Sequence, residues 1–144
     1  MKPGGQRNKG HAFERKVAND LKAIFPNAKR GFQTRGGGKE QCDVEGTPYH
    51  IECKHCARVD VRKAYTQAAT DAHESEGDYR PPFVVHKQNR GPIEVSSALT
   101  VWLEYLVGTT AWPFLKSQFG GSQMNPLVTM SYEAWLELLK RKHG

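Results

Sequence analysis

With 144 residues, 38% of them hydrophobic, the chain is long enough for one folded domain and too apolar for a disordered polypeptide. No apolar run approaches the roughly 20 residues of a membrane span, and three cysteines are too few for a secreted disulfide framework. Lys and Arg total 21 against 15 acids, and the net charge of +6 suits a polyanionic partner. Without a membrane span or a disulfide framework, we expect a cytoplasmic protein.

The amino-terminal region divides into an arm and a helix. Residues 1–10 are rich in Gly, Lys and Arg without apolar periodicity, so we predict a flexible basic arm there and a folded domain over residues 11–144. His11 to Phe25 has the spacing of an amphipathic helix, ended by Pro26. Glu14 belongs to one of its two inward rows, which predicts a carboxylate at the edge of the core.

A strand is predicted from Lys29 to Arg35, and it leads into three consecutive glycines, Gly36 to Gly38. Without side chains, this stretch would let a phosphodiester backbone approach the main chain closely. An ordinary flexible turn between strands fits the same composition, so both interpretations stay open.

Two short strands around a Gly/Thr/Pro turn are predicted between Gln41 and Lys54. In a symmetric hairpin Asp43 lies opposite Glu52, because the position numbers of cross-strand partners have a constant sum. Side chains alternate faces along a strand, so Lys54 shares the face of Glu52 and Asp43. Like charges that close repel unless a cation lies between them, and the pattern therefore predicts a divalent-metal site beside a basic group.

A helix is predicted from Asp60 to His73, because its apolar residues fall on one broad stripe, and Gln67 lies near its middle. Phe83 to His86 is short and apolar, which is typical of a central strand. Both elements would continue the domain that the hairpin begins.

The segment from about Arg90 to Asn125 is predicted to be an insertion between the last two strands. It contains a helix that Ser96 or Ser97 would cap and Gly108 would end. Such an insertion could make a dimer contact, cover a substrate or extend the core.

Pro126 to Met130 is predicted as the last strand, and Ser131 as the cap of a final helix. The order is helix, three strands, helix, strand, inserted helical segment, strand, helix. It predicts an α/β fold in one domain, with a central mixed β-sheet flanked by helices.

Phosphodiester hydrolysis offers a use for the carboxylate pair. Mg²⁺ prefers oxygen ligands and needs only two or three carboxylates, and Mn²⁺ is expected to substitute. Asp43 and Glu52 fit as ligands, with the main-chain carbonyl of Cys53 as a candidate third. Glu14 would approach from the first helix. Lys54 could orient the attacking water and stabilise developing charge.

These motifs together resemble the PD-(D/E)XK nuclease superfamily. Within it, the likeness is nearest to Holliday-junction resolvases of the archaeal type and their phage relatives. It is carried by Gly10 to Ala18, the Gly-rich loop, Asp43, Glu52 to Lys54, and Tyr65 to Ala68. Cys42 stands where the motif has its proline, and the segment from about Arg90 to Asn125 has no counterpart.

The resemblance implies a restriction-endonuclease-like core and a Mg²⁺-dependent endonuclease that acts on branched DNA as a homodimer. It makes Glu14, Asp43 and Glu52 the acidic metal-site residues and Lys54 the catalytic lysine. Gln67 matches a helix glutamine that is common in the superfamily. Cleavage of ordinary duplex DNA, as in restriction or repair relatives, remains an alternative, and so does an inactive relative that only binds nucleic acid.

Basic residues flank this constellation and are expected to contact phosphates, a mode of binding that is independent of sequence and sensitive to salt. These residues are Arg7, Lys9, Arg35, Lys39, Arg62, Lys63 and Lys87.

A zinc-stabilised binding module is an alternative of another class. Cys53 and Cys56 have the spacing of zinc ligands, and Cys42, His50 and His55 are near. A second Cys-x-x-Cys motif is missing, however, and the hairpin would place Cys53 and His55 on one face and His50 on the other. The same register predicts that Cys42 and Cys53 face each other in the core as reduced thiols.

Overall fold

The protein is described by a computed structural model for residues 5–31, 42–75, 77, 79–108 and 126–144. Its strands are β1 (Lys29–Arg30), β2 (Val44–Glu45), β3 (His50–Cys56), β4 (Pro82–Gln88), β5 (Ile93–Ala98) and β6 (Leu127–Ser131). Its helices are α1 (Gly5–Leu21), α2 (Val61–Glu74), α3 (Leu99–Val101), which continues as π-helix over Trp102–Val107, and α4 (Tyr132–His143).

The six strands form one sheet in the order β1-β2-β3-β4-β5-β6. Strands β3 and β4 are parallel, with α2 as their crossover, and every other neighbouring pair is antiparallel. A mixed sheet flanked by helices in a single α/β domain confirms the predicted fold class. None of the helices in the described ranges has the length and apolar character that a membrane crossing requires.

The two faces of the sheet are covered by different helices. On one face, Ile51 and Phe83 belong to the main core, which also contains Val17 of α1 and Trp135 of α4. On the other face, Ala64 and Ala68 of α2 pack on Val84, the partner of Glu52 in β3. Small alanine side chains let α2 lie close to the sheet, so polar residues on this face meet the helix directly.

Helix α1 differs from the prediction at both ends. It begins at Gly5, so the later part of the predicted flexible arm is helical, whereas residues 1–4 lie outside the described residues. Once a helix is nucleated, each further turn costs little, and apolar residues are not needed to extend it. Lys9 Nζ also donates a hydrogen bond to Asn89 Oδ1, which ties this turn to the turn after β4. The helix ends at Leu21, before the predicted Phe25.

The prediction of an insertion beginning near Arg90 is wrong for its first part. Ile93–Ala98 is strand β5, which pairs with β4 and β6 inside the sheet. Ser97 does not cap a helix, because its Oγ donates to the carbonyl of Pro82 at 2.6 Å. Ser96 and Ser97 are buried with their hydroxyls hydrogen-bonded, so the segment lacks the apolar pattern from which an inner strand is predicted. The helical segment does end at Gly108, which has a φ of 63° as the prediction requires.

Other boundaries follow the prediction closely. Asp60 accepts a hydrogen bond from the Lys63 N–H at 3.0 Å and so caps α2. Ser131 accepts one from the Ala134 N–H at 3.2 Å and caps α4. The predicted strand from Lys29 is described only as far as Gly31, so Gly36 to Gly38 lie outside the described residues.

Candidate metal centre

The β2–β3 hairpin has the predicted register. Val44 pairs with Ile51, and the Asp43 N–H donates to the Ile51 carbonyl at 2.9 Å. Asp43 therefore lies against Glu52, as the sequence predicts. Its Oδ2 atom also accepts the main-chain N–H of Cys53 at 2.8 Å, which fixes the carboxylate beside β3.

The two acids interact strongly because both are largely buried. The pKa of Asp43 is raised from 3.8 to about 8, mainly by burial and then by the charge of Glu52, while the hydrogen bond from the Cys53 N–H opposes the shift. Burial would also raise the pKa of Glu52, but hydrogen bonds from His50 and Asp43 and the charge of Lys54 lower it overall. The pair therefore shares a proton unless a cation takes its place.

Glu14 reaches this centre from the other side of the sheet. Helix α1 packs on the face that carries Ile51, and Glu14 Oε2 accepts a hydrogen bond from Arg30 Nε at 2.7 Å. The Glu14 carboxylate nevertheless contributes to the raised pKa of Asp43. Glu14 lies at the edge of the core, as predicted. Its charge raises the pKa of Asp43 although its carboxylate is paired with Arg30.

Lys54 is exposed and follows Glu52 on the same face of β3. Its charge lowers the pKa of Glu52, so the amine and the carboxylate are within electrostatic reach of each other. The structure thus brings Asp43, Glu52 and Lys54 together at one place on the sheet. The exposed amine of Lys54 therefore lies beside a largely buried acid pair.

Two polar residues outside the predicted site, His50 and Asp71, complete the surroundings of this centre. His50 Nε2 lies 3.2 Å from Glu52 Oε1, and Gln67 Nε2 donates to Asp71 Oδ1 at 2.9 Å. The ligand atoms of His50, Glu52 and Asp71 all lie within 4.8 Å of one another. Strand alternation could have placed His50 beside Glu52, but only the packing of α2 brings Asp71 there.

The cysteines do not form a metal site in the part of the chain that is described. The one group of His, Cys, Asp and Glu side chains there with suitable spacing contains no cysteine. Cys42 and Cys53 are buried as predicted, and burial raises the pKa of both thiols. Cys56 Sγ donates instead to the carbonyl of Arg58 at 2.9 Å. The zinc alternative therefore finds no ligand set among these residues.

Basic residues gather near the carboxyl ends of β3 and β4. Burial lowers the pKa of His55, and the charges of Lys9 and Lys87 lower it further, so these two amines lie near the end of β3. Arg62 and Lys63 are exposed in the first turn of α2, which begins just after β3. Arg7, in the first turns of α1, is exposed as well. Arg35 and Lys39 lie outside the described residues.

Comparison of the chain with protein-family models, with curated proteins and with solved structures gave no match in any of the three. The centre itself therefore carries the functional assignment. Its donors are carboxylate oxygens and one imidazole, a set that suits a divalent cation.

Proposed function

We propose that this protein is a metal-dependent endonuclease that hydrolyses phosphodiester bonds in DNA, with branched DNA such as Holliday junctions as its substrate. The observation that carries the proposal is the buried pair of Asp43 and Glu52, on the face that presents Lys54 to solvent. This is the arrangement of acids and amine that the sequence resemblance to PD-(D/E)XK nucleases implies.

Asp43 and Glu52 would hold the ion, with the main-chain carbonyl of Cys53 as a further ligand. Glu14, whose carboxylate is paired with Arg30, would act on a water bound to the ion. Mg²⁺, or Mn²⁺ in its place, supplies charge neutralisation at the scissile phosphate and activates water at neutral pH. The raised pKa of Asp43 supports this assignment, because two adjacent buried carboxylates need a positive charge to be ionised together.

Lys54 would act on the substrate side of the acid pair. Its exposed amine can meet a phosphate that lies over Glu52, orient the attacking water and stabilise charge that develops on the phosphate. Gln67 would act indirectly, because its amide holds the Asp71 carboxylate on the same face.

The basic residues around the carboxyl ends of β3 and β4 support DNA as the substrate. Arg7, Lys9, Arg62, Lys63 and Lys87 would contact phosphates around the acid pair. The preference for branched DNA rests on the resemblance to junction resolvases, and cutting of ordinary duplex DNA is the competing possibility. A symmetric four-way junction needs two active sites, so a homodimer belongs to the proposal.

The direct test is the Lys54→Ala variant. We expect it to abolish cleavage, a loss of at least about 100-fold, while DNA binding remains nearly intact. The measurement is single-turnover cleavage in Mg²⁺ and Mn²⁺ beside a binding assay in Ca²⁺. Lys140→Ala, which removes an exposed lysine from α4, is the control. Wild-type rates in Lys54→Ala would refute the role of this amine.

Substrate shape is tested by a cleavage panel of junction, flap, duplex and single-stranded DNA under one salt condition. We expect the junction to be cut fastest in Mg²⁺, and no cleavage in EDTA or by Asp43→Asn. Faster cutting of linear duplex would instead support a restriction- or repair-type enzyme. An intact protein that cuts nothing in Mn²⁺ would exclude the nuclease assignment.

A further inference from the structure

Glu52 has polar neighbours besides those of the proposed nuclease centre. Asp43, the residue before β2, contacts this carboxylate, and ligand atoms of His50 and Asp71 also lie within 4.8 Å of it. Glu52 is thus the carboxylate common to two groups of possible ligands, and neither His50 nor Asp71 is a metal ligand in the function proposed above.

The second group is built on rigid elements. His50 lies in β3, two residues before Glu52 on the same face, and only 4% of it is exposed. Asp71 lies on α2, whose alanines pack on the sheet, and only 9% of it is exposed. Gln67, one turn earlier on that helix, fixes the Asp71 carboxylate with a hydrogen bond of 2.9 Å.

The charges of this group favour a bound cation. Two carboxylates, those of Glu52 and Asp71, lie with one imidazole within 4.8 Å of one another. Asp71 accepts a hydrogen bond from the neutral Gln67 amide, whereas Glu52 has the His50 imidazole and the charge of Lys54 near it. Ionised carboxylates that are withdrawn from water and face each other are costly without a positive charge between them.

We propose that His50, Glu52 and Asp71 form a second divalent-cation site that shares Glu52 with the Asp43 site. An imidazole ligand favours first-row transition metals over Mg²⁺, so Mn²⁺ should occupy this site more readily than Mg²⁺ does. This site shares Glu52 with the proposed nuclease centre, but its binding of a cation does not require that the protein cleave DNA.

The test is Mn²⁺ binding to the full chain, followed by electron paramagnetic resonance. We expect two Mn²⁺ ions per wild-type chain and, in pulsed spectra, a ¹⁴N coupling from an imidazole ligand. His50→Gln and Asp71→Asn should each bind one Mn²⁺ fewer, and His50→Gln should lose the ¹⁴N coupling. His73→Gln is the matched control, because it removes an exposed histidine from the same helix as Asp71. It should bind as the wild type does.

A wild-type spectrum without ¹⁴N coupling at saturating Mn²⁺ would overturn the proposal, whatever the variants do. So would unchanged Mn²⁺ stoichiometry in a His50→Gln protein whose circular dichroism matches the wild type. In either case His50 only positions Glu52 through their hydrogen bond, and Asp71 is held by Gln67 without a metal. Two bound ions in a protein that cuts no DNA would support this site and refute the nuclease. Metal-dependent cleavage with one bound ion would do the reverse.

Discussion

At the scale of single residues, Glu52 is the residue on which the centre depends. It contacts Asp43 across the hairpin, lies 3.2 Å from His50, and is within electrostatic reach of Lys54. Strand alternation accounts for two of these neighbours, since His50 and Lys54 lie two residues before and after it. Its carboxylate therefore has neighbours in both proposed cation sites.

The shifted pKa of Asp43 predicts how stability depends on pH without metal. The folded-state pKa lies near 8 and the ordinary value is 3.8. Between these values the unfolded chain releases a proton that the folded chain retains, so stability should fall as pH rises through this window. Asp43→Asn should remove much of this slope and stabilise the protein at pH 7 by about 1–3 kcal/mol.

Urea unfolding in EDTA at several pH values measures this effect. Glu137→Gln, which changes an exposed carboxylate on α4, should keep the wild-type slope. If the wild type instead became more stable than Asp43→Asn as the pH rises from 5 to 8, the pKa of Asp43 would not be raised by burial. Addition of Mg²⁺ should remove the difference, because a ligand that binds only the folded state stabilises it.

At the scale of elements, α2 connects the two parallel strands and carries Gln67 and Asp71 over the sheet. Its start is fixed by Asp60, which accepts the Lys63 N–H at 3.0 Å. Its inner surface is formed by alanines, so its position depends on the cap and on close packing rather than on large side chains.

Loss of this cap should therefore destabilise the protein measurably. We expect Asp60→Ala to cost about 1 kcal/mol and to lower Tm by about 3–4 °C. Asp60→Asn, which keeps an oxygen acceptor at the same position, should stay within a few tenths of a kcal/mol of the wild type. Thermal unfolding followed by circular dichroism decides this. Equal losses in both variants would mean that the charge, and not the hydrogen bond, stabilises the start of α2.

At the scale of the whole molecule, basic residues lie near both ends of β3, and only one of these two groups belongs to the proposed DNA contacts. Arg62 and Lys63 follow the carboxyl end of β3, next to the proposed DNA contacts. The carboxyl end of α4 lies near the other end of β3, because His143 contacts Tyr49 at 2.7 Å. The proposed function assigns phosphate contacts to the first end.

Salt dependence of DNA binding should distinguish these ends. Removal of Arg62 and Lys63 together should weaken binding and reduce the slope of log K against log salt by about 2. Removal of Lys140 and Lys142 takes the same charge from the end of α4 and should change the slope much less. Binding is measured by fluorescence anisotropy in Ca²⁺ at several salt concentrations. Equal changes of slope in the two double variants would mean that DNA binding depends only on the net charge of the protein and not on these positions.

The sequence by itself determined the features that depend on short stretches of chain. The register that sets Asp43 against Glu52 follows from the turn between them, and alternation then places Lys54 on the same face. The start of one helix at Asp60 and the cap of another at Ser131 follow from local hydrogen bonds. The α/β class follows from the order of elements. These features hold because neighbours in sequence are held together by the covalent chain.

Only the tertiary structure decided how separate elements meet. It placed Asp71 beside His50 and Glu52, because α2 folds back over the sheet between two parallel strands. It placed Glu14 on the opposite helical layer, paired with Arg30. It also made Ile93–Ala98 a strand, because the backbone of this segment pairs with β4 and β6 on either side. The polar residues of the segment do not predict this pairing. Contacts between distant segments depend on packing and hydrogen-bond partners that no local pattern encodes.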